Sequence, residues 1–453
     1  MIIRFKPISL YLFKVSKRWI LGVLNVLLLG MPLVFIPFIY CFNFNSGIDI
    51  FDSAKGTLLM ICGTILLFLF GFSQIQIKPF SINAYERTDF ILLIWFAWIL
   101  CSVIFSKDPI LGFFGYHHRS GRLEGGFTYL IYFLCFRFSR IYFKPSLVQV
   151  QRYLWICTIM VLYAFLQYIF LDPLVHFKNF RPTIFSTIGN QNFLGTMLQL
   201  LAFTALALYF YKSKFQFLVL AYIFFSGIIL TQTRSVWVSS AIGLILSIGF
   251  MAFKFRKAYL PLLILLIILI GTGFLLNQRP QWYNNTQWAS ESLSGRGMQG
   301  IKDASKLSLE SGSGRILIWK LSLTATQEHP FFGTGPEQLK TYLKSRNDSM
   351  YTYYKHTRGK TIDKAHNEFI HIAATQGCPA LLCYWILLGT LFYNTLRFNR
   401  HPFILGMLLT LAMHLIQAQF NISVIAVSPV YWIILGALYG HVKQPEQTHA
   451  SWT

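Results

Sequence analysis

The chain is short of charge, and shortest of acid. Of its 453 residues only 12% are charged, and Asp and Glu together number 16. A soluble domain carries about 25% charged residues, so an ordinary globular enzyme of this length is excluded. The seven cysteines (41, 62, 101, 135, 157, 378 and 383) are scattered, mostly within apolar segments. No Cys-x-x-Cys pair and no Cys/His cluster at metal-ligand spacing occurs, so buried free thiols are expected. Also missing are the Gly-x-x-x-x-Gly-Lys-Ser/Thr phosphate loop, His-Glu-x-x-His, Gly-x-Ser-x-Gly and Asp-x-Asp. Gly333-Thr-Gly335 reads as a turn, not a dinucleotide fingerprint. No ATP hydrolysis, cofactor or metal is therefore expected. Acidic residues in the middle of apolar segments are nearly absent, which counts against an ion-coupled transporter.

What is present is apolar. Hydrophobic residues make up 55% of the chain and the mean hydropathy is +0.52. The 44 Phe and 23 Tyr suit lipid contact and interfacial belts. A membrane-spanning helix needs about 20 apolar residues. Twelve segments come near that length: 19–41, 56–72, 89–105, 125–143, 153–171, 193–211, 215–232, 235–253, 258–276, 379–397, 402–420 and 423–441. The expected fold is an all-α polytopic membrane protein of about twelve transmembrane helices. Five Lys/Arg precede Trp19, but the apolar stretch then runs to about Phe42. That is too long for a signal-peptide core and no A-x-A site follows, so it reads as the first transmembrane helix. The seventh and eighth segments are separated only by Thr231-Gln-Thr-Arg234-Ser and form a tight hairpin.

The net charge of +23 would suggest nucleic acid in a soluble protein. Here the charges sit between apolar segments, so topology and attraction to anionic lipid account for them and no nucleic-acid partner is expected. With the N-terminus inside, cytoplasmic segments hold 19 of the 39 Lys/Arg and the short outer loops hold seven. The other 13 lie between Asn277 and Lys364, in a long loop exempt from the positive-inside rule. Both ends are then cytoplasmic, and residues 277–378 form one large helical extracytoplasmic loop between helices nine and ten. The organisation expected is helices one to nine over 1–276, that loop, helices ten to twelve over 379–441, and a cytoplasmic tail over 442–453.

The loop opens with a polar stretch, Gln278 to Ser311. A helix is predicted over Arg315–Gln327, stopped by His329-Pro330. A second is predicted over Pro336–Lys344, and a third is capped by Asp363 and carries His366, Asn367 and Ile370. The third is amphipathic and should pack on the bundle.

Four outer-face constellations carry the polar chemistry. Gly121-Arg122-Leu-Glu124-Gly125-Gly126 either binds an anion or anchors a helix entry. Gly189-Asn190-Gln-Asn192-Phe-Leu-Gly195 either contacts sugar hydroxyls or phosphate, or makes a turn and cap. Arg234, among Thr231, Thr233 and Ser235, either snorkels or faces phosphate. Arg315 and His366-Asn367 open two loop helices, whose N-termini favour anions. Imidazole exchanges a proton near neutral pH, which suits His366 to general-base work. Three Arg and one His on one face are a stronger signal than any of them alone.

At these places the sequence resembles the O-antigen ligase and polymerase family. The likeness lies in Gly-Arg-x-Glu-Gly-Gly (121–126), Gly-Asn-x-Asn-Phe-Leu-Gly (189–195), Thr-x-Thr-Arg-Ser (231–235), Arg-x-x-x-Trp through His-Pro-x-x-Gly-x-Gly-Pro (315–336) and Ala-His-Asn-Glu-Phe through Gly (365–377). Phe51 to Lys55 also looks like the family's first outer loop. The sequence has Gln191 where the family more often has Pro, and Thr233 where it more often has Ser.

The resemblance implies a metal-independent glycosyltransferase of the bacterial inner membrane. It would take a glycan from an undecaprenyl-pyrophosphate donor at the outer face and join it to a lipid A core sugar, another repeat unit or a protein hydroxyl. His366 would activate or orient the acceptor hydroxyl. Arg234 and Arg315 would hold the pyrophosphate and stabilise the leaving group. Arg122, Glu124, Asn190, Asn192, Trp319 and Asn367 would bind substrate. The physics agrees: cleaving a sugar–pyrophosphate bond builds negative charge, and preorganised Arg donors stabilise it at any working pH. The basic and aromatic residues of 340–364 suit an anionic glycan or a solvated loop. A polymerase, a protein oligosaccharyltransferase and a lipid-linked sugar flippase are the alternatives; a flippase should show similar halves, and none is seen.

Overall fold

The computed structural model describes residues 6–35, 50–76, 87–115, 124–169, 184–254, 259–277, 314–346, 348–359, 361–399 and 401–442. Among these residues the fold is all helical, without a strand. Ten helices come before the large loop: α1 (Lys6–Leu33), α2 (Ile50–Gln76), α3 (Arg87–Ile104), α4 (Pro109–Phe114), α5 (Gly126–Tyr142), α6 (Leu147–Tyr168), α7 (Gln191–Lys212), α8 (Phe215–Thr231), α9 (Arg234–Lys254) and α10 (Leu260–Asn277). The loop contributes α11 (Arg315–Glu328), α12 (Leu339–Ser345), α13 (Ser349–Arg358) and α14 (Glu368–Gln376). Three more close the bundle: α15 (Cys378–Phe398), α16 (Pro402–Ala418) and α17 (Ser428–Val442). Among the described residues six helices are long and apolar enough to cross a membrane: Val15–Leu33, Phe51–Phe72, Leu147–Tyr168, Gln191–Lys212, Arg234–Phe253 and Cys378–Phe398. Four shorter apolar helices lie beside them: Thr88–Ile104, Phe215–Thr231, Leu260–Leu276 and Pro402–Ala418. This is a membrane protein.

Helix α7 is the axis of the bundle. It is apolar on every side, and its residues from Phe193 to Phe210 are all buried. A helix hydrophobic all round belongs inside a bundle, and α6, α8, α9 and α16 surround it. Small residues set the closest approach elsewhere. A Cβ on Gly436 of α17 would lie 2.3 Å from the carbonyl oxygen of Phe136 in α5, so only glycine allows that packing. An aromatic layer joins α3, α15 and α17. Trp95 stacks on Trp432 at 5.2 Å and on Tyr384 at 6.0 Å between ring centroids, and the Tyr384 and Tyr431 hydroxyls are 3.0 Å apart.

Some elements differ from the sequence expectation. The predicted helix over Pro336–Lys344 begins only at Leu339, because Glu337 sits in the left-handed region at φ +62° and ends any continuation from Pro336. Asp363 is not the cap of the third loop helix. His366 is also left-handed, at φ +51°, so the helix starts after it and Asn367 caps it. The Tyr/Lys-rich stretch contains α13, capped by Asp348. The segment expected to span over 423–441 is an α-helix only from Ser428 to Val442. Phe51 to Lys55 is not a loop but the first turn and a half of α2. Arg137 and Arg140 lie within α5, where both pair with the fully buried Asp89 of α3. The polar stretch Gln278–Ser311 lies outside the described residues.

Candidate functional site

A turn between α11 and α12 sets the positions of the loop helices. The N–H groups of Thr334 and Gly335 donate to the carbonyls of Ala374 and Thr375 in α14, each at 2.9 Å, and Cys378 N–H donates to Pro330 O at 2.8 Å. From the bundle, Trp98 Nε1 donates to Phe331 O at 2.8 Å and Ser102 Oγ to Thr375 O at 2.9 Å. Gln338 closes the far side, donating to Asp108 O and Ser106 Oγ at 2.7 Å each. The backbones pass so closely that a Cβ on Gly377 would lie 1.8 Å from Phe331 O. The His-Pro-x-x-Gly-x-Gly-Pro motif is therefore a clasp that locks α11 and α14 onto α3.

A second clasp aligns the first turns of α7 and α9. Asn190 caps α7, its Oδ1 accepting from Asn192 N–H at 2.8 Å. Thr233, just ahead of Arg234, donates from Oγ1 to Gln191 O at 3.2 Å and Asn192 Oδ1 at 3.4 Å. Behind them, the buried Lys55 donates to Val34 O and Thr187 O at 2.7 Å each. Gly189 packs onto Phe51 at φ +90°.

The segment Gln419–Ser423 gathers these parts together. Asn421 Nδ2 donates to Thr196 Oγ1 of α7 at 3.3 Å. Phe420 meets the Trp319 ring of α11 at 6.3 Å. Gln419 Oε1 accepts from Asn367 Nδ2 at 3.4 Å, and Ser423 N–H donates to Glu368 Oε2. The Gln419–Ser423 segment thus touches α7, α11 and α14. Sequence reading assigned it to the ends of two spans. Its polar run of Gln417, Gln419 and Asn421 between apolar segments was the available signal.

Charge in this region falls into two groups. Arg315, at the first position of α11, is half-buried, and burial followed by the charge of Arg234 pulls its guanidinium below the usual range. Among the described residues no hydrogen bond or ion pair holds Arg315. The repulsion between the two guanidiniums is of a kind that a multiply charged anion would relieve. The second group is a buried triad. Lys364 donates to Glu124 Oε2 and Glu337 Oε1, tying the segment before His366 to the entry of α5. Burial alone would lower the Lys364 ammonium, but Glu124 and Glu337 outweigh it and raise it. Burial raises the carboxyls of Glu337 and Glu368. His371, one turn into α14, is pushed well below its ordinary value by burial and then by Lys364 and His366.

The described site residues are thus connected. Arg234 and Arg315 are electrostatic neighbours, and Trp319 lies one turn beyond Arg315. Asn190 and Asn367 make caps, Asn192 accepts from Thr233, and Glu124 is committed to Lys364. His366 stands between the triad and the α14 cap in a left-handed backbone. Arg122 lies outside the described residues. Sequence reading missed Lys364, Glu337, Glu368 and His371. Their role comes from burial, which spacing does not reveal.

No curated protein is significantly similar to the chain. Residues 217–385 match the family model of the O-antigen ligase domain. The matched stretch runs from α8 into α15 and contains Arg234, Arg315, Trp319, the Pro330–Gln338 clasp, Lys364 and His366, while Glu124, Asn192 and the Gln419–Ser423 segment lie outside it. Over this stretch, rather more than a third of its length, the chain is similar to the O-antigen ligase family.

Proposed function

We propose that this chain is a metal-independent glycosyltransferase of the bacterial inner membrane, built on twelve spans with both ends cytoplasmic and its large loop outside. It transfers a glycan from an undecaprenyl-pyrophosphate donor to an acceptor hydroxyl at the outer face, as in O-antigen ligation and cell-surface polysaccharide assembly. The observation that carries this reading is the Arg234–Arg315 pair inside the O-antigen ligase domain. A pyrophosphate beside the two guanidiniums relieves their repulsion and gives Arg315 a charge-assisted partner. Their stabilisation grows as the glycosidic bond breaks, since undecaprenyl pyrophosphate leaves with the electron pair. The acceptor oxygen bonds to the anomeric carbon, and its proton passes to His366. A left-handed non-glycine residue is costly to hold, and such residues cluster at functional sites. That supports His366 in this role. Trp319 presents an aromatic face to the sugar. Arg122 adds a further donor contact, while Asn190, Asn192, Asn367 and Glu124 shape the walls through two caps, the Thr233 contact and an ion pair.

The test is transfer in vitro from a purified undecaprenyl-pyrophosphate glycan, reading released lipid pyrophosphate. Wild type should release it, and His366→Ala and Arg315→Ala, each eluting as folded protein, should lose about 100-fold or more. Movement of intact donor across a bilayer without cleavage, unaffected by either variant, would identify a flippase instead.

A further inference from the structure

The half of the bundle away from Arg234 and Arg315 contains a cavity of about 420 Å³, within the size range of small-molecule sites. It lies between α1, α6, α7, α16 and α17, and its interior is apolar: Leu28, Leu200, Leu201, Met407, Ile434 and Leu438 line it. Its polar residues concentrate at helix ends, with Lys144 before α6, Gln149 and Arg152 in the first turns of α6, and His441 at the end of α17. No Asp or Glu is among its lining residues. Lys144 and Arg152 are exposed at this rim. Asn25 of α1 and Ile156 of α6 are also exposed, so the cavity opens sideways between two membrane helices, toward lipid.

Its depth identifies the occupant. On α17 the lining runs from His441 back to Val430, about 16 Å at 1.5 Å per residue. Half of a hydrocarbon core about 30 Å thick is about 15 Å. The cavity is therefore as deep as one leaflet, apolar along its length and cationic at its mouth. We propose that it seats an acyl chain of an anionic glycerophospholipid from the leaflet opposite the Arg234–Arg315 site, with the phosphate against Lys144 and Arg152. A zwitterionic lipid fills the well equally but gains less at the rim. The occupant also braces the site from below. Leu200 and Thr204 follow Thr196 on α7 at one-turn intervals, and Thr196 receives Asn421 from the Gln419–Ser423 segment. This inference does not depend on the transferase reading.

The experiment places the full chain in vesicles that contain phosphatidylglycerol with a photoactivatable group in mid-chain, or its phosphatidylcholine counterpart, and maps the labelled peptides. Phosphatidylglycerol should label the peptides of Leu200–Leu201 and Met407 about tenfold more than phosphatidylcholine. Lys144→Gln with Arg152→Gln should abolish that preference. Asn25→Trp, which changes an exposed lining residue and leaves the buried core intact, should cut labelling by both lipids. Equal interior labelling by both lipids in wild type, or a preference that survives the double substitution, overturns the proposal. So does stronger interior labelling by photoactivatable undecaprenyl phosphate, which would give the cavity to the donor's chain.

Discussion

Lys364 and Glu124 form a buried ion pair that joins the segment just ahead of His366 to the entry of α5. Glu337, left-handed at φ +62°, completes the triad from the α11–α12 turn. Removing the cation leaves two carboxylates facing one another out of water. Lys364→Ala should therefore cost about 3–5 kcal/mol, the range for breaking a buried pair from one side. Unfolding in detergent measures it. Adding Glu124→Gln and Glu337→Gln to Lys364→Met should recover most of the loss, because nothing charged is then left uncompensated. An unchanged melting temperature in Lys364→Ala would mean that the triad is hydrated.

The Arg pair makes a prediction about geometry as well as charge. Arg315→Ala should lower turnover about 100-fold to 1000-fold, the scale of one lost electrostatic donor in a transition state. Arg315→Lys keeps the charge but loses the planar fork, so it should recover only part of the rate. Steady-state transfer with each variant measures this. Full recovery by lysine would show that a point charge is sufficient.

Much of this site was legible because the sequence punctuates it. His329-Pro330, Gly333 and Gly335 mark a turn whatever surrounds it, and Thr231 to Ser235 marks a hairpin between two apolar runs. The caps were half legible: a turn and cap was one of two readings of Asn190, but the third loop helix was given Asp363 as its cap where Asn367 caps it. The choice depended on His366 leaving the helical region, which only its packing dictates. The triad and the Asp89 pairs were not legible. A lysine or arginine beside a span has the same sequence signature whether it faces lipid headgroups or a buried carboxylate. Their partners are distant in sequence and were brought together by the bundle.

Asp89 makes this distinction testable. Arg140 donates to its two oxygens at 2.8 and 2.7 Å and Arg137 lies at 2.9 Å, with Asp89 fully buried. Asp89→Asn should destabilise the fold by about 3–5 kcal/mol by taking a buried carboxylate charge away from two buried guanidiniums. Removing one of two cations, as in Arg137→Gln, should cost less. Thermal unfolding of the two variants gives the order, and the reverse order would mean that Arg137 carries most of the attraction.

The Gly377 clasp should tolerate no side chain. Gly377→Ala adds a Cβ 1.8 Å from Phe331 O, at a backbone angle of φ +90°. Both strain and collision fall on the contact that docks α14. Gly389→Ala is the matched control, since nothing lies within 4 Å of its Cβ in α15, and replacing a helical glycine by alanine stabilises by about 0.5–1 kcal/mol. Yield of monodisperse protein and melting temperature should therefore fall sharply for the first and hold or rise for the second.

His371 gives the acid limb of the stability profile. It is buried in α14 and its Nδ1 has no hydrogen-bond partner among the described residues. Burial, then Lys364 and His366, hold its pKa well below the ordinary 6.5. The unfolded chain therefore takes up this proton before the folded one does. The contribution of neutral His371 is complete above about pH 6.5 and is lost as pH falls below that toward the folded value. His371→Phe keeps an aromatic ring and removes the titration. The stability of wild type relative to this variant should therefore decline by about 1.4 kcal/mol per pH unit below pH 6.5, the slope of one proton. Glu337 and Glu368 have raised pKa values and act in the opposite sense. Both proteins carry them, so they cancel to first order in the difference. Parallel unfolding profiles from pH 7 to pH 5 would show that His371 accepts its proton in the fold as readily as outside it, and that the α14 interior is wetter than its burial implies.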